Sequence, residues 1–280
     1  MTLQAEDILA HRFDEIRQSY APRDAILYAL GVGLGADPLD TDELGYLLET
    51  NFRVLPSFAI TLASPGMWIR DPRFGVTFSK LVHSAQATAF FNELPPSASV
   101  RTTPRIVSLR DRGPGKGAVL DIERTIEDQK TGLAYCTTRQ TLLLRADGGF
   151  GGEAPDKDAA PRPPDRAADH IVEFKTSSRA ALIYRLSGDL NPLHADPEFA
   201  RKAGFDRPIL HGLASYGVAA FVLAKTIGGR LSSLQCRFSG IVFPGDTLEF
   251  HIWNLEDRVV FLAKSGARAV LDRGLAKFGD

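Results

Sequence analysis

A stretch that cannot hold a regular element divides this chain nearly in half. Gly148-Gly149-Phe150-Gly151-Gly152 is followed by residues 153–166, dense in Pro, Asp and Ala, a composition that reads as a linker. The same order of elements stands on each side of it. Ahead of the break, residues 105–109, 118–125 and 133–145 are rich in Val, Ile, Leu and Thr and separated by turn signals, which predicts antiparallel strands. Beyond it, residues 234–243, 247–253, 259–264 and 267–271 repeat that character, with Pro244-Gly245-Asp246 as a turn. Helices are predicted before each meander, over residues 25–30 and 42–50 in the first half and 213–225 in the second. The last is apolar, Ala-rich and closed by Gly228-Gly229. Helices first and strands later, twice over, predicts a duplicated α+β unit in which a sheet wraps an apolar helix. We place the units at residues 1–152 and 169–280, with a linker at 153–168. Each is long enough for its own core, since single cores stop growing near ~250 residues.

Composition narrows the class of ligand. The formal charge is −1, from 33 basic and 34 acidic side chains with no long run of one sign, so nothing marks a nucleic-acid or membrane surface. No segment approaches the roughly 18 unbroken apolar residues of a membrane span. Residues 1–17 carry Glu6, Asp7, Asp14 and Glu15, unlike a signal or transit peptide, and the last three residues are not Ser-Lys-Leu-like. A cytoplasmic location is the resulting expectation. Cys136 and Cys236 lie in apolar strands without metal-ligand spacing and read as buried structural thiols. His11, His170 and His251 likewise lack ligand spacing, so no metal and no cofactor is expected.

One segment concentrates polar chemistry. In Ser187-Gly188-Asp189-Leu190-Asn191-Pro192-Leu193-His194, Asn191-Pro192 is a cap followed by proline at the first helical position, which predicts a short turn. That turn carries His194 back toward Asp189 across the Ser187-Gly188 bend, so a carboxylate and an imidazole face one small volume as an acid/base pair. Asp196-Pro197 repeats the device and starts a helix over 198–203 that Gly204 ends. Pro208-Ile209-Leu210-His211-Gly212 then leads into the apolar helix. Gly212 offers a bare backbone N–H at that helix's positive end, suited to a developing oxyanion.

These blocks, together with Val242-Phe243-Pro244-Gly245-Asp246, resemble the MaoC-like (R)-specific enoyl-CoA hydratases, the hydratase 2 family. Three segments of the first half resemble the family's N-terminal repeat: residues 23–33, Leu81-Val82-His83-Ser84-Ala85-Gln86, and the glycine cluster at 148–152. The resemblance implies a double hot-dog fold, two repeats in which an antiparallel sheet wraps a central helix. It implies (3R)-specific hydration of a trans-2-enoyl-CoA thioester, and the reverse dehydration. Asp189 and His194 would be the water-binding dyad, Asn191 a supporting polar residue and Gly212 the oxyanion donor. His211, Arg207 and Ser187 are candidate substrate contacts. The first repeat, lacking an Asp…His string, would make room for the acyl chain, and a homodimer is expected by analogy. Within the dyad the roles stay open.

Blander readings stand beside these. Asp189 and His194 taken alone read as a capping aspartate and a structural histidine, Gly212 as a packing glycine, and His211 and His83 as structural residues. Phe58, Met67, Trp68, Phe90 and Phe91 suit either an acyl pocket or a core. Gly31-Val32-Gly33-Leu34-Gly35 and Gly113-Pro114-Gly115-Lys116-Gly117 mimic nucleotide loops without the required spacing. Two sequence features depart from the family pattern, Leu55-Pro56-Ser57-Phe58 and the carboxylate of Asp147 ahead of the glycine cluster. Alternative functions are an acyl-CoA thioesterase, or a catalytically silent acyl-CoA-binding partner subunit.

Overall fold

Period-two alternation along both halves builds one antiparallel sheet. The computed structural model describes residues 2–154 and 161–279, so residues 155–160 of the expected linker lie outside the described residues. The first half contributes β1 (Ile16–Tyr20), β2 (Leu81–Phe90), β3 (Ala98–Thr102), β4 (Arg105–Asp111), β5 (Ala118–Asp128) and β6 (Ala134–Leu144). The second contributes β7 (His170–Lys175), β8 (Arg230–Phe238), β9 (Thr247–Asn254), β10 (Val259–Ser265) and β11 (Arg268–Gly279). Their order is β1-β3-β5-β6-β2-β8-β11-β10-β9-β7, with β4 paired to β5. The halves join where β2 pairs with β8, Gln86 opposite Cys236 and Thr88 opposite Leu234. This is the double hot-dog architecture expected from the sequence.

Among the described residues six α-helices accompany the sheet: α1 (Ala5–Ala10), α2 (Pro22–Val32), α3 (Thr41–Leu44), α4 (Ala180–Tyr184), α5 (Pro197–Lys202) and α6 (Gly212–Ile227). Every residue of α6 from Ala214 through Leu223 is buried, as an all-round apolar helix must be. The first half fills its sheet differently, with α2 and a 3-10 turn at Pro56–Thr61. Gly31 lets α2 touch α4, since a Cβ there would lie 2.8 Å from the Tyr184 Cα. Gly33, at φ 113°, caps α2 in the left-handed conformation. That glycine-rich segment is therefore a packing and capping device. Among the described residues, no helix is long and apolar enough to cross a membrane.

Several boundaries differ from the sequence reading. The helix expected over 42–50 stops at Leu44, and the Arg53 N–H returns to the Gly45 carbonyl at 2.8 Å. The strand expected over 234–243 ends at Phe238. Beyond it Gly240 lies against the Ala269 carbonyl, where a Cβ would approach to 2.5 Å, and the Val242 carbonyl accepts the Leu210 N–H at 2.7 Å. Residues 239–243 thus roof the start of α6. The final strand runs to Gly279 because β11 stays paired with β8 down to Arg230.

The glycine cluster and Asp147 acquire physical reasons. Asp111 accepts the N–H groups of Gly113, Gly149 and Gly151, each at 2.8 Å, and so ties the β4–β5 turn to the cluster. Asp147 accepts the Thr77 N–H and hydroxyl. Phe58 and Phe90 belong to the core, Met67 and Phe91 are exposed, and Trp68 stacks on His11. Both cysteines are buried and free.

Candidate active site

Local chain chemistry folds the 187–194 segment as its residues direct. Gly188 takes the left-handed conformation at φ 113°, turning the chain after the 3-10 turn Arg185–Ser187. The Asn191 side chain accepts the Leu193 N–H at 3.1 Å and caps the turn Pro192–His194. Asp189 Oδ1 accepts the Asn191 N–H at 3.1 Å. The Asp196 side chain caps α5 through Glu198 N–H and Phe199 N–H. Both cap-plus-proline devices therefore form, and they fix the loop between Asp189 and α5.

The imidazole of His194 is 9% exposed, and its Nδ1 faces the Ile209 carbonyl at 2.9 Å. A carbonyl can only accept, so Nδ1 carries the proton and Nε2 presents a lone pair. His211, 1% exposed, directs Nε2 at the Asp189 backbone carbonyl at 3.2 Å by the same logic. The two rings stack with centroids 3.7 Å apart, and Tyr184 packs on His211 at 4.9 Å. Burial lowers the proton affinity of His194, and burial with the His194 charge lowers His211 to about 3. Both rings are neutral at neutral pH.

Asp189, His194 and His211 offer side-chain donor atoms within 4.8 Å of one another, the grouping among the described residues with a metal-ligand distance set. Two of the ring nitrogens already serve carbonyls. Rings inclined by only 28° and stacked point their remaining lone pairs along nearly parallel planes, poorly placed to converge on one ion. The set is better suited to holding water.

The opposite wall comes from α6 and from the other half. The Gly212 N–H stands at the first position of α6 and donates to no acceptor among the described residues. A Cβ there would lie 3.3 Å from the Phe238 ring. That ring in turn meets His83 of β2 edge-on at 5.0 Å. His83 contacts the Ala85 carbonyl at 3.0 Å, and its proton affinity falls to about 4 through burial, against an opposing pull from Asp189. The sequence gives His83 little weight, yet β2–β8 pairing brings it beside the dyad.

The remaining expected contacts divide. Ser187 buries an unpartnered hydroxyl two residues before Asp189. Arg207 instead lies over the Phe243 ring at 4.5 Å, with its guanidinium 4.0 Å from Asp246 and its side chain largely exposed. Lys202 pairs with Glu198 at 2.8 Å on the surface. Arg185 is the cation whose charge reaches His211.

Comparison with known proteins agrees with the fold and with the resemblance read from the sequence. Residues 159–273 match the MaoC like domain and residues 18–146 match the MFE-2 hydratase 2 N-terminal domain. The chain is 38% identical over 282 residues to 3-hydroxyacyl-thioester dehydratase Y of Mycobacterium tuberculosis, covering 92% of this chain and 93% of that protein. It is 36% identical over 277 residues to the peroxisomal enoyl-CoA hydratase 2 of Arabidopsis thaliana, covering 92% and 89%. The crystal structure of a MaoC-like dehydratase from Phytophthora capsici superposes with a TM-score of 0.84 at 29% identity, covering 98% of each chain.

Proposed function

The chain belongs to the MaoC-like hydratase 2 family, and from that membership we propose that it is a hydro-lyase adding water to trans-2-enoyl-CoA to give (3R)-3-hydroxyacyl-CoA, and running the reverse dehydration. The observation that carries the residue assignment is the hydrogen bond from His194 Nδ1 to the Ile209 carbonyl. It leaves Nε2 unprotonated on a ring with a nitrogen within 4.8 Å of an Asp189 carboxylate oxygen, so in this reading the two hold one water between them.

In this reading the thioester oxygen sits at the Gly212 N–H. His194 Nε2 accepts one proton of the water as its oxygen bonds to C3, and Asp189 orients the water through its other hydrogen. The electron pair of the double bond moves onto the thioester oxygen, where the N–H and the positive end of α6 stabilise it. Collapse of the enolate takes the proton from the imidazolium to C2. The water is then fully accounted for, oxygen and one hydrogen at C3 and the second hydrogen at C2. Asn191 holds the turn, and His211 supports the backbone of Asp189 and the face of His194. His83, Ser187 and Arg207 are the proposed substrate contacts, Arg207 from its exposed position over the Phe243 ring.

The test uses trans-2-enoyl-CoA thioesters of several lengths, following loss of enoyl absorbance, free thiol release and product chirality. The expected result is (3R)-3-hydroxyacyl-CoA with no thiol release. Thiol without hydroxyacyl product would make the chain a thioesterase, and neither change would leave it a silent binding subunit.

A cytoplasmic homodimer completes the proposal. Because β2 and β8 already pair within the chain, a strand-to-strand dimer would use an edge strand, β1, β4 or β7 among the described residues. Light scattering tests the assembly. Imaging of the tagged full-length protein tests the location, the Arabidopsis relative being named peroxisomal.

A further inference from the structure

Away from the dyad, the sheet has a break in its outer edge. β3 pairs with β5 only at Val100–Asp128 and Arg101–Glu127, and β4 resumes at Arg105–Glu123. Pro104 lies between them and can give no ladder N–H. Opposite the break, a cleft of about 380 Å³ opens, with Thr102, Thr103, Arg124 and Thr125 among its walls beside the carboxylates of Glu15, Glu123 and Glu127.

Arg124 is the unusual member. It is 7% exposed, on the face of β5 that also carries Ile122 and Ile126, at the place where the two hydrophobic clusters of the molecule part. One guanidinium nitrogen donates to the Ile60 carbonyl, and Nε is buried with no partner. The Thr102 hydroxyl in the same cleft is also buried and unpartnered. The rim cations are matched, Arg105 to Glu123 at 2.5 Å and Arg101 to Glu127 at 3.4 Å. Among the described residues no carboxylate pairs with Arg124, and burial lowers its proton affinity to about 10, so it remains a cation at neutral pH. A buried charge without a counterion is costly, and a buried donor without a partner calls for an acceptor.

We propose that this cleft binds a carboxylate, with Arg124 as its cation. Two sources share that chemistry. One is the far end of an acyl chain carrying an ω-carboxylate, and this source rests on the hydratase reading above. It is favoured by a polar row on the inner face of the sheet. Arg124 lies opposite Thr138, which lies opposite Thr88, and Gln86 bonds to Thr138. At the other end His83 feels both the Arg124 guanidinium and Asp189. The second source is a free dicarboxylate entering at the break in the edge.

The experiment compares trans-2-enoyl-CoA substrates of equal length ending in methyl or in carboxylate, over a length series, and titrates adipate alone by calorimetry. For the acyl source, wild-type protein favours the carboxylate end by about 10- to 100-fold in kcat/KM at the length that reaches Arg124, the size expected for one charge-assisted hydrogen-bonded pair. Arg124→Met abolishes the preference while hydration of methyl-ended substrate persists, and Arg124→Lys keeps part of it. Adipate binding that is lost in Arg124→Met, with no preference among substrates, assigns the free-anion source. Neither preference nor adipate binding in the wild-type protein overturns the proposal, whether or not the variants fold. If the wild-type protein hydrates no enoyl-CoA, the hydratase reading fails and the adipate titration still decides the site.

Discussion

The imidazoles of His194 and His211 lie face to face, 3.7 Å apart, so a proton on one disfavours a proton on the other. Burial is the larger cause, and it keeps both rings neutral below the ordinary histidine value. A base that must be unprotonated then keeps working into mild acid. The acid limb of kcat/KM is expected to lie below pH 6.5, with a flat region across neutrality. A limb centred at or above 6.5 in a pH–rate profile would remove His194 from the role of base.

The same depression makes a stability prediction. His211 titrates near 6.5 when unfolded and near 3 when folded, so between those values the unfolded chain binds more protons. Its contribution is therefore complete above pH 6.5 and is lost as pH falls, on the order of 1 kcal/mol per pH unit. Denaturant midpoints measured from pH 7 to pH 4 should show that slope reduced in His211→Phe, which keeps the stack and removes the titration.

Removing either half of the dyad should separate function from folding. Asp189→Asn and His194→Ala are each expected to lower kcat by about 10²-fold or more. The caps at Asn191 and Asp196 remain in both variants, so Asp189→Asn should shift the thermal midpoint little. His194→Ala also leaves the Ile209 carbonyl without its partner and should lower the midpoint, so its kcat is compared at a temperature where it is fully folded. Near-normal turnover by either variant would reject the assignment.

Much of this site was legible because it is local. The bend at Gly188 and the caps at Asn191 and Asp196 depend on neighbours two or three residues away, and all three form as the sequence directs. His83 and Arg124 were not legible, since their placement depends on the β2–β8 and β5–β6 registers, set by packing across the whole sheet. The strand that the sequence predicts beyond Phe238 does not form, for the same reason. Its apolar residues, Ile241 and Val242, suit a strand, but the long-range bond from Leu210 to the Val242 carbonyl captures them for the roof of α6.

Gly212→Ala tests the oxyanion position without disturbing the backbone. Alanine is the better helix former, by roughly 0.5–1 kcal/mol in a helix interior, and the tight contact of its Cβ with the Phe238 ring opposes that gain, so stability should change little. The new methyl would sit 3.3 Å from the Phe238 ring, in the space assigned to the thioester oxygen. We expect kcat/KM to fall about 10-fold or more, the scale on which a displaced oxyanion donor acts. An unchanged kcat/KM would place the thioester elsewhere.

Gly31→Ala reaches the site from the other half of the chain. Its Cβ would lie 2.8 Å from the Tyr184 Cα, a backbone atom that cannot turn aside, so α2 and α4 must separate. Overpacking of this kind typically costs about 1–3 kcal/mol, and thermal melting should show it. Tyr184 also packs on His211, which in turn stacks on His194. The shift should therefore reach the base and lower kcat by more than the lost stability alone explains, measured at a temperature where the variant is fully folded. If kcat is unchanged there, the α2–α4 contact supports the fold only, and the chain of rings from Tyr184 to His194 does not transmit its position.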